Sequence, residues 1–469
     1  MSGYVLAGGL LALIVFLMLK PWLKVMVAFI IMSQSFDLTP SIMYGTLVWD
    51  FGAVLLLIAS IQLLFQEKLE TVNYSSVGIV LVIFTGWLLL CLIYSIVVYD
   101  YPIMDTLKTS RHWIIGYLSI FIFLRLFSVD PDALSKLLKW LYFITYVLLV
   151  VAVIQYLTGH QMLRGLYREY DGALRYLPIY LPVVLLFLWH ILARHLSGEP
   201  VKHHEYLYAG LVVMVTAFTY TRGIYFSVLL MFSIMLFFLV KDKKIKIGRS
   251  TVFVATVILG VMIVMSWGMA DRVVSRAASA IEIILSDKSP NAQVDRDTFA
   301  GRIMTAKERV SLVAEYNPII GYGFIHEDNV PASIRNKLKH GSVIYSAEMV
   351  ERYRLGYPYV LALYSADIGW GNIAVVSGLV GLAIFIVFVA VFSVSYREMR
   401  FLDGSAYYLS LAFYLVTIAL LVLMFISNTF TNQIQIPALM IAGYLYVRSR
   451  TRERMIDGSV PDKLKEEVS

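Results

Sequence analysis

Apolar runs separated by short polar gaps fill most of the chain, and about 13 of them approach the roughly 20 residues that a membrane helix needs. They begin near Tyr4, Val25, Gly45, Val77, Trp113, Leu138, Tyr176, Tyr206, Gly223, Thr251, Asn372, Tyr407 and Gln433, and the second is short. One long polar interval of about 100 residues, from Asp271 to Gly371, interrupts the series. The pattern predicts an all-α integral membrane protein of about 12–13 transmembrane helices with one large, partly helical loop domain. It divides the chain into an N-terminal membrane bundle (1–205), central membrane helices (206–270), the loop domain (271–371), C-terminal membrane helices (372–450) and a tail (451–469). No solenoid-length repeat, low-complexity tract or symmetric pair of interrupted helices is visible.

Composition agrees and excludes most soluble classes. Of 469 residues, 59% are hydrophobic and 15% charged, and the mean hydropathy is +0.75. The net charge of +7 would suggest nucleic acid in a soluble protein. Here the basic residues sit in short gaps: "KPWLK" at Lys20, "RHLSGEPVKHH" from Arg194, "KDKKIKIGR" from Lys241, "YREMR" from Tyr396 and "RSRTRER" from Arg448. All fall on one side by parity, which the positive-inside rule makes cytoplasmic. The loop domain is then extracytoplasmic, the tail cytoplasmic and the N-terminus outside. The opening residues lack a basic region and a small-residue cleavage site, so they are expected to be a first span. Cys91, the single cysteine, permits no internal disulfide.

Three polar stretches on the outer side could carry chemistry. In "TYTRG", Thr219 to Gly223, Arg222 stands between two apolar runs; an arginine there is either a snorkelling anchor or an anion ligand, and the first amides of the following helix would add donors. In "FAGRIMTAKERVSLVAEYNPIIGYGF", Phe299 to Phe324, the residues Ile303, Ala306, Val310, Val313 and Ala314 recur at helical spacing. Arg302 would thus open an amphipathic helix that ends before Asn317-Pro318 and the turn Gly321-Tyr322-Gly323. In "LYSADIGWGNIAVVSGLVGLAIF", Asp367 precedes an apolar run; a helix cap or rim residue is the plainer interpretation. The outer loop Gly159–Pro178 adds Arg164, Arg168 and Arg175 among tyrosines. Asp50, Asn428 and Asn432 are polar groups in or near apolar runs, and Asp50 at depth requires a partner such as an arginine. No cluster with metal-ligand spacing is present, so neither a metal nor another cofactor is expected.

Together, an outer-end arginine, a large outer loop with "GR" leading into "NP..G.G", and a polar residue ahead of a "GLVGL" run resemble the O-antigen ligase and polymerase superfamily over roughly Tyr206 to Phe385. The resemblance implies a mostly helical, inverting glycosyltransferase of a bacterial cytoplasmic membrane, using undecaprenyl-diphosphate-linked glycans as donor and acceptor. A flippase and a chain-length regulator are its implied partners. Arg222 and Arg302 match the two family arginines that grip the donor diphosphate; a planar, permanently charged guanidinium suits a leaving group that gains charge. Where the ligase branch has a histidine, this sequence has Asp367, which favours the polymerase-like branch and assigns Asp367 as the group that orients or deprotonates the acceptor. His340 is the alternative base. Tyr220, Arg309, Gly321 and Gly323 complete the expected substrate-binding set, the glycines by letting backbone approach the lipid headgroup, with Arg352 and Arg354 as further candidates. A ligase acting on a lipid core or protein hydroxyl, and a transporter of lipid-linked saccharides, stand as alternatives.

Overall fold

Inside lipid no water satisfies backbone N–H and C=O groups, so apolar runs of this length fold as helices. The computed structural model describes residues 13–32, 45–65, 76–160, 162, 166–170, 173–177, 180–219, 222–245, 299–339, 362–364, 368–402, 404–424 and 434–456. Its main helices are α1 (Pro21–Met32), α2 (Gly45–Leu64), α3 (Ser76–Val97), α4 (Ile103–Val129), α5 (Ala133–Thr158), α6 (Leu181–Leu196), α7 (His203–Phe218), α8 (Arg222–Lys241), α9 (Phe299–Tyr316), α10 (Gly369–Val394), α11 (Gly404–Leu423) and α12 (Gln435–Ile456). Among the described residues, six segments are long and apolar enough to cross a membrane: α3, α4, α5, Ile224–Lys241, Gly369–Met399 and α11. Apolar but shorter are α1, Asp50–Leu64 and α6. At 1.5 Å per residue, α1 reaches only about 18 Å, which fits the short second apolar run. The start expected near Tyr4, the run from Thr251 and the loop domain up to residue 298 lie outside the described residues.

The polar gap after α5 contains an antiparallel hairpin of β1 (Leu166–Tyr170) and β2 (Ala173–Leu177), with Arg168 opposite Arg175. Gly159, at φ 70°, ends α5 in the left-handed conformation that favours glycine. The centre of the bundle is α11, packed against α6, α8 and α12; Tyr407, Leu411, Ala412, Phe413 and Leu415 are fully buried in it. Asp50 of α2 finds its arginine in Arg111 of α4, at 2.7 Å.

Polar contacts fix which loops share an end of the bundle. Lys241 Nζ donates to Tyr396 Oη at 2.7 Å, Tyr407 Oη to Asp242 Oδ2 at 2.7 Å, and Lys244 Nζ to the Leu402 carbonyl at 2.9 Å. Arg448 pairs with Glu398, and Arg194, Lys202 and His204 line a cleft with Ser405 and Tyr408. The basic loops at 194–204, 241–244, 396–405 and 448 therefore gather at one end. Because the end of α8 meets the start of α11, the two run antiparallel, and the start of α8 and the finish of α11 point to the opposite end. There the Met424 carbonyl accepts from Gly369 N at 2.9 Å. The same end holds α9 and residues 317–339.

Candidate functional site

The N-terminal half of α10 and residues 317–324 interlock. Helical geometry breaks at Gly378, with φ 69° and ψ −173°. The break releases backbone groups of α10, and the Asn317–Phe324 turn takes them up: Tyr322 N donates to the Val375 carbonyl at 2.7 Å, and Leu379 N to the Pro318 carbonyl at 2.8 Å. Trp87 Nε1, midway along α3, donates to the Ser377 carbonyl at 2.8 Å. Phe324 N donates to Ser95 Oγ at 2.9 Å, and Tyr99 Oη to the Gly321 carbonyl at 2.7 Å. Irregular backbone at the level of membrane helices is tolerated when protein satisfies it, and here it does.

Gly321 and Gly323 have φ of 75° and 64°. A Cβ at Gly321 would lie 2.5 Å from the Val375 carbonyl oxygen, and one at Gly323 would lie 2.1 Å from Ser95 Oγ. The close approach these glycines permit is thus to α10 and α3, where a lipid headgroup was expected.

The loop helix α9 departs from its apparent pattern. Its buried residues include Thr305, Arg309, Leu312 and Val313, whereas Ala314 is exposed and Ile303, Ala306 and Val310 are only half-buried. A face bearing threonine and arginine is turned inward. Burial of Arg309 is compensated by acceptors: Nε donates to the Leu363 carbonyl at 2.9 Å, one terminal nitrogen to the Ala362 carbonyl at 2.7 Å, and the other to Glu308 Oε1 at 2.6 Å. Burial lowers the Arg309 pKa, and the Glu308 and Glu327 carboxylates oppose that shift. Being fully buried, Arg309 grips the protein's own chain. Arg302, half-buried, lies two helical turns earlier on the same side of α9.

Glu327 completes the arrangement, and nothing in its local sequence announces it. Its carboxylate accepts from Leu363 N at 3.2 Å and from Tyr364 N at 2.8 Å, and Tyr364 Oη donates to the Gly323 carbonyl at 3.1 Å. Withdrawal from water raises the Glu327 pKa despite the two amide bonds and the facing Arg335 and Arg309. Nearby, Lys339 N donates to both oxygens of Glu308 at 3.0 and 3.1 Å. Adjacent residues Glu308 and Arg309 therefore bind the backbone at Lys339 and at Ala362 and Leu363. His340 follows the first point directly, and Asp367 follows Tyr364 by three residues.

Tyr220, His340 and Asp367 lie outside the described residues, as do Arg164, Arg352, Arg354, Asn428 and Asn432 and the side chains of Arg168, Arg175 and Arg222. The backbone of Arg222 opens α8. Among the described residues, the Arg309 side of α9 is bonded to the chain before residues 365–367, and the finish of α11 to the chain after them. No protein-family model and no curated protein sequence matches the chain.

Proposed function

We propose that the chain is a metal-independent glycosyltransferase that polymerises lipid-linked polysaccharide repeat units of the O-antigen, capsule or exopolysaccharide kind. It would work at the outer face of a bacterial cytoplasmic membrane, with α9 and residues 317–339 on the outside. The donor is a growing glycan on undecaprenyl diphosphate, and the acceptor is a lipid-linked repeat unit. The acceptor hydroxyl oxygen forms a bond to the anomeric carbon from the face opposite the diphosphate. The carbon–oxygen bond to the diphosphate breaks, the configuration inverts, and the hydroxyl proton passes to Asp367.

Arg222 and Arg302 hold the departing diphosphate, whose charge rises as the bond breaks. Tyr220 and His340 flank the glycan. Arg309, Gly321 and Gly323 serve from within the protein, by holding the scaffold on which the reacting groups stand. The observation that supports this reading is that the chain before Asp367 is tied to Arg309, on the side of α9 that carries Arg302, and the chain after it, at Gly369, is bonded to Met424 at the finish of α11.

Purified protein supplied only with lipid-linked repeat should make a ladder of product lengths. Arg222→Ala and Arg222→Lys should each lower transfer about a hundredfold or more, because a lysine cannot offer the bidentate fork, while membrane insertion persists. Near-normal ladders from both variants would return Arg222 to the role of an interfacial anchor. Transfer only when a lipid core or protein acceptor is added would mark a ligase, and passage of labelled lipid through liposomes without new glycosidic bonds would mark a transporter.

A further inference from the structure

The cleft at the basic end of the bundle is framed by three helices. Arg194 comes from the last turn of α6, Lys202, His204 and Glu205 from the start of α7, and Ser405 and Tyr408 from the start of α11; Glu199, on the α6–α7 connection, completes a space of about 370 Å³. Two of its charges are already committed to the frame. One terminal nitrogen of Arg194 donates to Glu205 Oε1 at 2.8 Å and the other to the Pro200 carbonyl, while Glu205 Oε2 accepts from Lys202 N at 2.7 Å. The connection between α6 and α7 is thereby closed by a pair whose charges cancel.

Three side chains in the cleft stay uncommitted. Glu199 and Lys202 are both exposed, and neither forms an ion pair with the other or with any described residue. Tyr408 is only 6% exposed, yet its hydroxyl has no hydrogen-bond partner among the described residues. A phenol so enclosed ordinarily finds one. The first amides of α7 and α11 have no acceptor within their own helices, and the helix dipoles there favour an anion.

A free ammonium and free amides beside a free carboxylate match a ligand that itself carries both signs. A simple anion would be repelled by Glu199, and a simple cation by Lys202. The surroundings indicate how such a ligand is anchored. Tyr206 and Leu207, the next residues of α7, are exposed apolar surface, and the basic loops that gather here mark the headgroup level of a membrane.

We propose that the cleft seats the headgroup of a zwitterionic phospholipid bearing phosphoethanolamine. Its phosphate lies on Lys202, Ser405 and the first amides of α7 and α11, the Tyr408 hydroxyl donates to a phosphate oxygen, and its ammonium lies on Glu199. The lipid clasps α6, α7 and α11 at their shared end, whatever reaction the opposite end performs.

Thermal unfolding of the full-length protein in detergent, titrated with short-chain phospholipids, tests this. Phosphatidylethanolamine should raise the midpoint by at least about 2 °C at saturation. Its half-saturating concentration should lie at least about fivefold below those of phosphatidylglycerol, which lacks the ammonium, and phosphatidylcholine, whose ammonium has no N–H to donate. Glu199→Gln alters an exposed side chain, so it should leave the lipid-free midpoint within about 1 °C and cut the preference over phosphatidylglycerol below about twofold. Lys202→Gln and Tyr408→Phe should each weaken phosphatidylethanolamine at least about threefold. Free phosphoethanolamine at matched concentration should give less than about half the shift, because it has no chains to bury. Equal response to the three lipids, tighter binding of phosphatidylglycerol, or an unchanged preference in Glu199→Gln overturns the proposal. A full shift from free phosphoethanolamine assigns the cleft to a soluble phosphate ester and overturns the lipid.

Discussion

Glu327 and Arg309 show how far a residue's neighbours outweigh its type. In "TAKERVS" the arginine belongs to a run of charges that would ordinarily face water, yet it is fully buried and fixes two carbonyls of a stretch 53 and 54 residues away. Nothing at that spacing in the sequence links the two, because the link runs through backbone atoms that every residue possesses. The carboxyl of Glu327 has a measurable signature. Its pKa is raised above the ordinary 4.5 by burial, so folding favours its protonated form. The stability it contributes is then fully present below the unfolded value and declines as pH rises through the folded one. The stability of wild type minus that of Glu327→Gln should fall as pH is raised through this window and level off above it; a difference that grows with pH would show that the amide bonds outweigh desolvation.

At the scale of elements, α10 is the informative helix. Its sequence, with Gly378 and Gly381 in an apolar run, was legible as a span and as a glycine-bearing one, but the break at Gly378 was not, since glycine in such runs often only packs closely. The reason for the break lies some 60 residues earlier, in the Asn317–Phe324 turn that satisfies the opened helix. An alanine at position 378 would bring a Cβ to 2.0 Å from the Ile319 carbonyl oxygen at φ 69°. Gly378→Ala should therefore cost about 1–3 kcal/mol from the backbone alone, with the clash in addition. Gly86→Ala in α3, where a Cβ meets nothing within 4 Å, should stabilise by about 0.5–1 kcal/mol. Thermal unfolding in detergent compares them, and equal midpoints would remove the interlock as a stabilising feature. The loop helix teaches the complementary lesson: its existence and its limits followed from periodicity and the Asn317-Pro318 stop, whereas its inward face was misjudged because Thr305 and Arg309 find acceptors that periodicity cannot reveal.

For the whole molecule, the row of apolar runs was legible as membrane-length helices, while the contacts that join residues 194–204 to 405–408, 241–244 to 396–407 and 448 to 398 are named only by the fold. Asp50 likewise needed a cation, but only the fold names Arg111. Sidedness is testable with single thiols, because Cys91 is buried. In intact cells a membrane-impermeant maleimide should label Asn336→Cys, and it should label Lys202→Cys only after permeabilisation, both positions being exposed. The reverse pattern would turn the molecule over and remove the proposed outer site.

The interlock at Gly378 also sets a distance. The Asn317–Phe324 turn is bonded to α10 at Val375 and Leu379, to α3 at Ser95 and to Tyr99 just beyond it, so the loop is keyed into the bundle and cannot ride above it. In the proposed reaction the height of the reacting carbon over the bilayer is then constant, whatever the length of glycan already made. In that proposed reaction new units would enter at the membrane surface and the older product would be extruded outward, like a rope run through a fixed fairlead.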